Sequence, residues 1–352
     1  MRFGMHLSMS GRMADAPEHG KEIGCRALQI FSGNPRGWSK PPLDPSRVEE
    51  FRAAVRECGI EPVVVHSTYL INLAAPDAPI YKLSVETFLD ELRRSWALGA
   101  KFYVVHCGSH KGTGEDGGRA RICKALQRAH AEVPERPEIL LENTAGTANS
   151  LGTTFQDLAL LLDGAAVPRT GICFDTCHAL AAGYEIRTRE GVAETLDELD
   201  RVLSLQRLRC LHVNDSKGGL GSHLDRHENI GQGEIGAEGF RHFFSDRRLW
   251  DLPAILETPL DQPDDDRHDL WKIVELAAEA GAVGRDLLER MPTGPQEVVG
   301  AMPELVSNQT AVVASKPRAR SRRTAGALTR RVIHRPAGKR PRKIRRTLRK
   351  KR

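Results

Sequence analysis

The chain has 352 residues, 40% of them apolar, which suffices for one large α/β barrel with an appendage or for two average domains. Its net charge of +6 conceals an acidic body and a cationic end: residues 316–352 carry 18 Lys and Arg and no acid, leaving 34 basic against 46 acidic side chains before them. No segment approaches the roughly 20 apolar residues of a membrane span, and MRFGMHLSMS lacks the apolar stretch of a secretory signal, so neither a membrane protein nor an exported one is expected. Short apolar, β-branched runs predict strands, in chain order, over Arg2 to His6, Ala27 to Phe31, Pro62 to His66 and Phe102 to His106. Four more follow over Glu138 to Glu142, Thr170 to Asp175, Arg209 to Val213 and Ala254 to Glu257. Between them, apolar residues spaced three and four apart mark helices such as SRVEEFRAAVREC, KLSVETFLDELRRSWALG, RARICKALQRAH, FQDLALLLD, ETLDELDRVLSL and LWKIVELAAEA.

Eight strand–helix units in roughly 285 residues predict a single (β/α)8 TIM barrel, with its active site at the carboxyl ends of the strands. An open doubly wound sheet is disfavoured because no Gly-rich nucleotide fingerprint follows the first strand. The barrel is expected over 1–284, a Pro/Gly-punctuated linker over 285–315, and a disordered Lys/Arg-rich tail from Lys316 to Arg352, where like charges repel and no core can form. Such a tail serves as a solubilising or targeting extension, a nuclear signal in a eukaryote, or binds nucleic acid, and the last is favoured. The seven cysteines are odd in number and scattered, several within apolar strands, which suits reduced thiols in a reducing compartment.

Six strands stop at metal-ligand types: His66, His106, Glu142, Asp175, His212 and Glu257. In a barrel, His66, His106 and Glu142 end neighbouring strands and face one point. FDTCH adds His178 three residues beyond Asp175, and HLDRH sets Asp225 and His227 two apart, on one side of an extended chain. Four carboxylates (Glu142, Asp175, Asp225 and Glu257) in one pocket repel and pay for burial unless cations neutralise them. A mixed His and carboxylate set without thiolates suits zinc best, with manganese or iron as substitutes.

The segments HSTYLINLA, HCGSHKG, LENTAG, FDTCHALAAGY, HVNDSKGGLGSHLDRHENIGQGEIG and LETP resemble those of the endonuclease IV family of zinc-dependent apurinic/apyrimidinic endonucleases. The resemblance covers residues 1 to about 284 and is most specific in NDSKGGLGSHLDRHENIGQGEIG. It implies three Zn2+: one on His66, His106 and Glu142; a second on Glu142, Asp175, His212 and Glu257; a third on His178, Asp225 and His227. It makes Glu142 and Glu257 the catalytic carboxylates, Glu257 by positioning. It also implies that Asn34 and Arg36 in FSGNPRGW, together with Tyr69, probe the DNA. Where the family commonly carries Pro, Gln and Arg, this chain has Cys107, Thr147 and His223; the last is read as a weaker phosphate contact in preference to a competing ligand.

The implied activity is hydrolysis of the phosphodiester 5′ to an abasic site in duplex DNA, leaving a 3′-hydroxyl and a 5′-deoxyribose phosphate, with cleaning of blocked 3′ ends. The expected protein is a monomer in the cytoplasm, at the nucleoid of a bacterium or in the nucleus of a eukaryote, whose tail adds nonspecific DNA affinity. Two alternatives stand: a metal-dependent sugar isomerase or epimerase of the same barrel type, and a DNA-binding protein with an inactive barrel.

Overall fold

The computed structural model describes residues 1–291; the expected tail from Lys316 to Arg352 and the expected linker from residue 292 onward lie outside the described residues. Eight parallel strands close into a barrel. They are β1 (Arg2–His6), β2 (Ala27–Phe31), β3 (Val63–His66), β4 (Phe102–His106), β5 (Glu138–Glu142), β6 (Thr170–Asp175), β7 (Leu208–His212) and, after a two-stranded ribbon of β8 (Asp215–Ser216) with β9 (His227–Glu228), β10 (Pro253–Leu256). The ring runs β1-β10-β7-β6-β5-β4-β3-β2, so each strand lies beside its predecessor and β1 closes on β10. The predicted strands match to within a residue: Val213 and Glu257 fall just past the ends of β7 and β10.

Around the barrel lie α1 (Asp15–Ile23), α2 (Pro45–Cys58), α3 (Ala78–Ala97), α4 (Glu115–Glu132), α5 (Phe155–Ala165), α6 (Thr176–Ala182), α7 (Arg189–Leu203), α8 (Gly236–Phe244) and α9 (Asp265–Glu279). A short α10 (Asp286–Arg290) continues past residue 284 and is followed by Met291, buried on the core. The helices start where capping chemistry is available: the Asp44, Asp77, Thr154 and Thr188 side chains accept orphan amides at the first turns of α2, α3, α5 and α7. Among the described residues no helix is long and apolar enough to cross a membrane. All seven cysteines are free, and Cys25, Cys107, Cys173, Cys177 and Cys210 are buried.

Because side chains alternate along a strand, every second residue points into the barrel. One level is dry, formed by Ala27, Val64, Phe102, Val104, Leu140, Cys173, Cys210 and Ile255. Two residues on, towards the carboxyl ends, stand Gln29, His66, His106, Glu142, Asp175, His212 and Glu257, joined by His6 from β1. The strand stagger offsets these positions: His66 is level with Val104, whereas His106 is level with Glu142 and Asp175 with His212. At this level each strand, or the residue just past its end, is polar, and on β2 Phe31 stands one inward position beyond Gln29.

Candidate metal centre

Glu142 is fully buried and lies at the middle of this polar level. Its Oε2 is 3.2 Å from His66 Nε2 and 3.5 Å from His106 Nε2, and its Oε1 is 2.9 Å from His212 Nδ1. His212 Nδ1 also lies 3.3 Å from Glu257 and 3.9 Å from Asp175. A third group forms where α6 turns off β6: the Asp175 side chain caps that helix at the His178 amide, 2.7 Å away, and so fixes where His178 emerges. His178 Nε2 stands 3.2 Å from Asp225, and His227 Nε2 4.0 Å from the same oxygen. Three of the sets whose ligand atoms lie within 4.8 Å of one another are made of His and carboxylates alone: His66, His106 and Glu142; Glu142, Asp175, His212 and Glu257; His178, Asp225 and His227.

The imidazoles are oriented for ligation. His66, His178 and His227 each donate Nδ1–H to a backbone carbonyl (Ser67, Asn143 and Glu257) at 2.8–3.0 Å, which leaves Nε2 as the free lone pair. His212 is reversed: Nε2–H donates to Gln29 Oε1 at 2.9 Å, and Nδ1 faces the carboxylates. Gln29 uses its amide to donate to Glu257 Oε1 at 2.5 Å, and His6 Nδ1 lies 3.4 Å from the same oxygen. Asn214 binds Asp175 Oδ2 through its amide and takes the Glu257 backbone N–H, each at 2.7 Å. Gln29, His6 and Asn214 are site residues that the sequence reading did not assign.

Charge balance decides what the pocket can hold. Burial works to raise the pKa of Glu142, but the charges of His106 and His212 and hydrogen bonds from His178 and His212 hold it well below the carboxylate range. Burial opposes protonation of His212, yet Glu257 and Glu142 lift it to about 10. His178 is likewise raised well above its usual value: burial resists, and Asp175 and Asp225 prevail. Glu142 thus stays ionised and demands nearby positive charge. Divalent cations bound among these residues would meet that demand while leaving the imidazoles neutral and able to bind. His227 Nε2, buried and without a hydrogen-bond partner, fits the same assignment. These residues fit a metal cofactor.

Above the groups opens a cavity of about 390 Å³, lined by His106, His178, Asp225, His227, Glu257 and the aromatic pair Phe31 and Tyr69. Tyr69 is 71% exposed and meets Phe31 edge to face at 5.2 Å. Asn34 and Arg36 are exposed on the loop after β2, where Asn34 Oδ1 accepts the Arg36 amide at 3.0 Å. His223 belongs to none of the three groups; it has φ +55° and its Nδ1 lies 3.1 Å from the Ala145 carbonyl, which leaves it turned to the loop after β5. Thr147 lines a second hollow of about 260 Å³ that shares His106, His178 and Asp225. The Gly-rich stretch after β9 is organised by Asp215, another residue missed in the sequence: its buried carboxylate accepts the amides of Ser216, Gly231, Gly233, Ile235 and Gly236 at 2.8–3.3 Å. A Cβ at Gly233 would stand 2.5 Å from Asp215 Oδ1, so this turn requires glycine.

Residues 17–279 match the family model of xylose isomerase-like TIM barrels. The chain is 49% identical over 276 residues to "Probable endonuclease 4" of Methanoculleus marisnigri, covering 78% of this chain and 98% of that one. It is 47% identical over 262 residues to the protein of the same name from Chloroflexus aurantiacus, covering 73% and 91%. Among solved structures, endonuclease IV from Thermus thermophilus superposes with a TM-score of 0.71 at 39% identity, covering 79% of this chain and 100% of that chain. A 3-keto-D-glucoside 4-epimerase from E. coli, at 14% identity and a TM-score of 0.57 over 78% of this chain and 98% of its own, shares the fold alone.

Proposed function

The chain belongs to the endonuclease IV family within the xylose isomerase-like TIM barrels, and from that premise we propose that it is a zinc-dependent apurinic/apyrimidinic endonuclease of DNA repair. The observation that carries this reading is Glu142, whose two oxygens serve two ligand groups on the floor of a cavity rimmed by Tyr69. The substrate is duplex DNA with an abasic site, cut on its 5′ side to leave a 3′-hydroxyl and a 5′-deoxyribose phosphate; blocked 3′ ends are cleaned by the same chemistry. The barrel, residues 1–284, carries the activity as a monomer, and the basic segment beyond the linker adds nonspecific affinity for the DNA backbone.

His66, His106 and Glu142 would hold one zinc, Glu142, Asp175, His212 and Glu257 a second, and His178, Asp225 and His227 a third. Bound zinc supplies neutralisation of phosphoryl oxygens, acidification of water toward a pKa of about 7, and stabilisation of the departing 3′ oxygen. The protein's own part is orientation. Gln29 and Asn214 lock Glu257 and Asp175, and the backbone carbonyls that take Nδ1–H fix His66, His178 and His227. Glu257, held by Gln29 and His6, positions the attacking side of the centre and is not an independent base. Asn34, Arg36 and Tyr69 meet the duplex at the rim, where a nucleotide without a base is extruded at less cost than an intact one, since no stacking or pairing is lost.

The test is a duplex carrying one tetrahydrofuran abasic analogue, incubated with the purified protein in EDTA, with both product ends mapped. The analogue cannot undergo β-elimination, so a 3′-hydroxyl cut immediately 5′ to it identifies hydrolysis by a tightly held centre. No cut, even after zinc is restored, overturns the reading.

A further inference from the structure

The two loops proposed to meet DNA, residues 32–44 after β2 and 67–77 after β3, are anchored on one side chain that belongs to none of the metal-ligand groups. Glu91 projects from α3 and is fully buried. Its Oε1 stands 2.8 Å from Lys40 Nζ of the first loop, and neither side chain retains any exposure. Its Oε2 accepts the backbone amide of Thr68, next to Tyr69 in the second loop, at 3.2 Å, and the Tyr103 hydroxyl of β4 at 2.6 Å. One helical turn later, Arg94 grips the first loop at both ends: Nε and Nη2 donate to the Ser32 carbonyl at 3.0 and 2.8 Å, and Nη1 to the Pro41 carbonyl at 2.8 Å. Gly33 permits the crossing, since a Cβ there would lie 2.8 Å from Lys40 Cδ.

A fully desolvated Lys–Glu pair is a poor source of stability, because the loss of hydration offsets most of the Coulomb attraction. It is a good source of fixed geometry, because each charge has one low-energy place to be. We propose that Glu91 is a positioning residue: through Lys40 and the Thr68 amide it locks the Arg36 loop and the Tyr69 loop into one mutual arrangement, presented to DNA as a single surface. The device rests on the reading of these loops as DNA-facing, and it acts on the rim without touching the metal groups.

The test uses the full chain with Lys40→Met, which keeps the stem against Gly33 and removes the cation that fixes the Glu91 carboxylate between the two loops. Lys40→Met with Glu91→Gln, in which no charge is left buried alone, guards against a fold defect. Hydrogen exchange followed by mass spectrometry reads both loops without DNA. In both variants, segments 33–39 and 67–71 are expected to exchange about tenfold faster than wild type, with 102–106 unchanged. KM for the abasic duplex is expected to rise about tenfold while kcat moves less than about threefold, a split that a loss of folded protein does not produce. Faster exchange in 33–39 alone, unchanged exchange in both loops, or an unchanged KM with both loops loosened overturns the proposal. If wild type does not cut abasic DNA, the reading of the site fails by itself, and the exchange comparison still decides the lock.

Discussion

Two levels of the same barrel, separated by two residues on each strand, are built for opposite ends. On β5, Leu140 faces a dry interior with Val64, Val104, Cys173 and Ile255, and Glu142 on the same face joins His66, His106 and His212. The backbone is equally regular at both. The lower level gains by excluding water; the upper level, with His178, Asp225 and His227 set over it from α6 and the ribbon, gathers four carboxylates and five histidines whose mutual charge has to be balanced. The difference teaches that stability and chemistry occupy separate storeys on one set of strands, so each can be damaged alone.

The largest effect is expected from Glu142→Ala. Removing the ligand shared by two groups should cost several kcal/mol of transition-state stabilisation, about a thousandfold or more in kcat, and should lower bound zinc with the thermal transition retained. Full zinc content in this variant, measured by inductively coupled plasma mass spectrometry, would break the comparison at once. Glu257→Gln keeps shape and hydrogen bonding while losing charge, so it should stay folded and lose most of its activity; wild-type turnover would refute its role. Leu140→Ala strikes the dry level. A loss of about 2–5 kcal/mol in chemical denaturation, with zinc stoichiometry unchanged, is expected from the cavity it leaves.

Gln29→Leu sharpens the boundary between the levels. It removes both the donor to Glu257 and the acceptor for His212, and a loss of about 10- to 100-fold in zinc affinity or activity is expected. Competition against a fluorescent chelator measures it, and wild-type affinity would make Gln29 a packing residue. The smallest effect belongs to the region outside the barrel. Deleting residues 316–352 should flatten the dependence of DNA binding on log salt, yet leave incision at saturating substrate nearly unchanged. An unchanged slope would remove the tail from DNA contact.

The storeys differ also in how far the sequence discloses them. Buried parallel strands read as short apolar runs, and a ligand at a strand end interrupts such a run, which is why VVVHS, FYVVH and EILLE expose His66, His106 and Glu142 without any geometry. Gln29 escapes because ALQIF resumes its apolar run after the glutamine, so no stop marks it. His6 does end a strand, but its partner Glu257 is 251 residues away and becomes a neighbour only when β1 closes on β10. Asp215 in NDSK has the composition of a surface turn, and only the folded loop shows five backbone amides converging on it. Nothing in the sequence singles out Lys40 or Glu91, because pairing across loop and helix leaves no periodic trace.

The proposed three-metal centre on the upper storey stands or falls on the number of ions it holds. Native mass spectrometry of the full chain, purified without chelator and supplied with zinc, is expected to show three tightly held Zn2+ per chain, with fewer on the Glu142→Ala variant. A wild-type chain that binds no more than one zinc, or a variant that binds as many as wild type, would contradict the account.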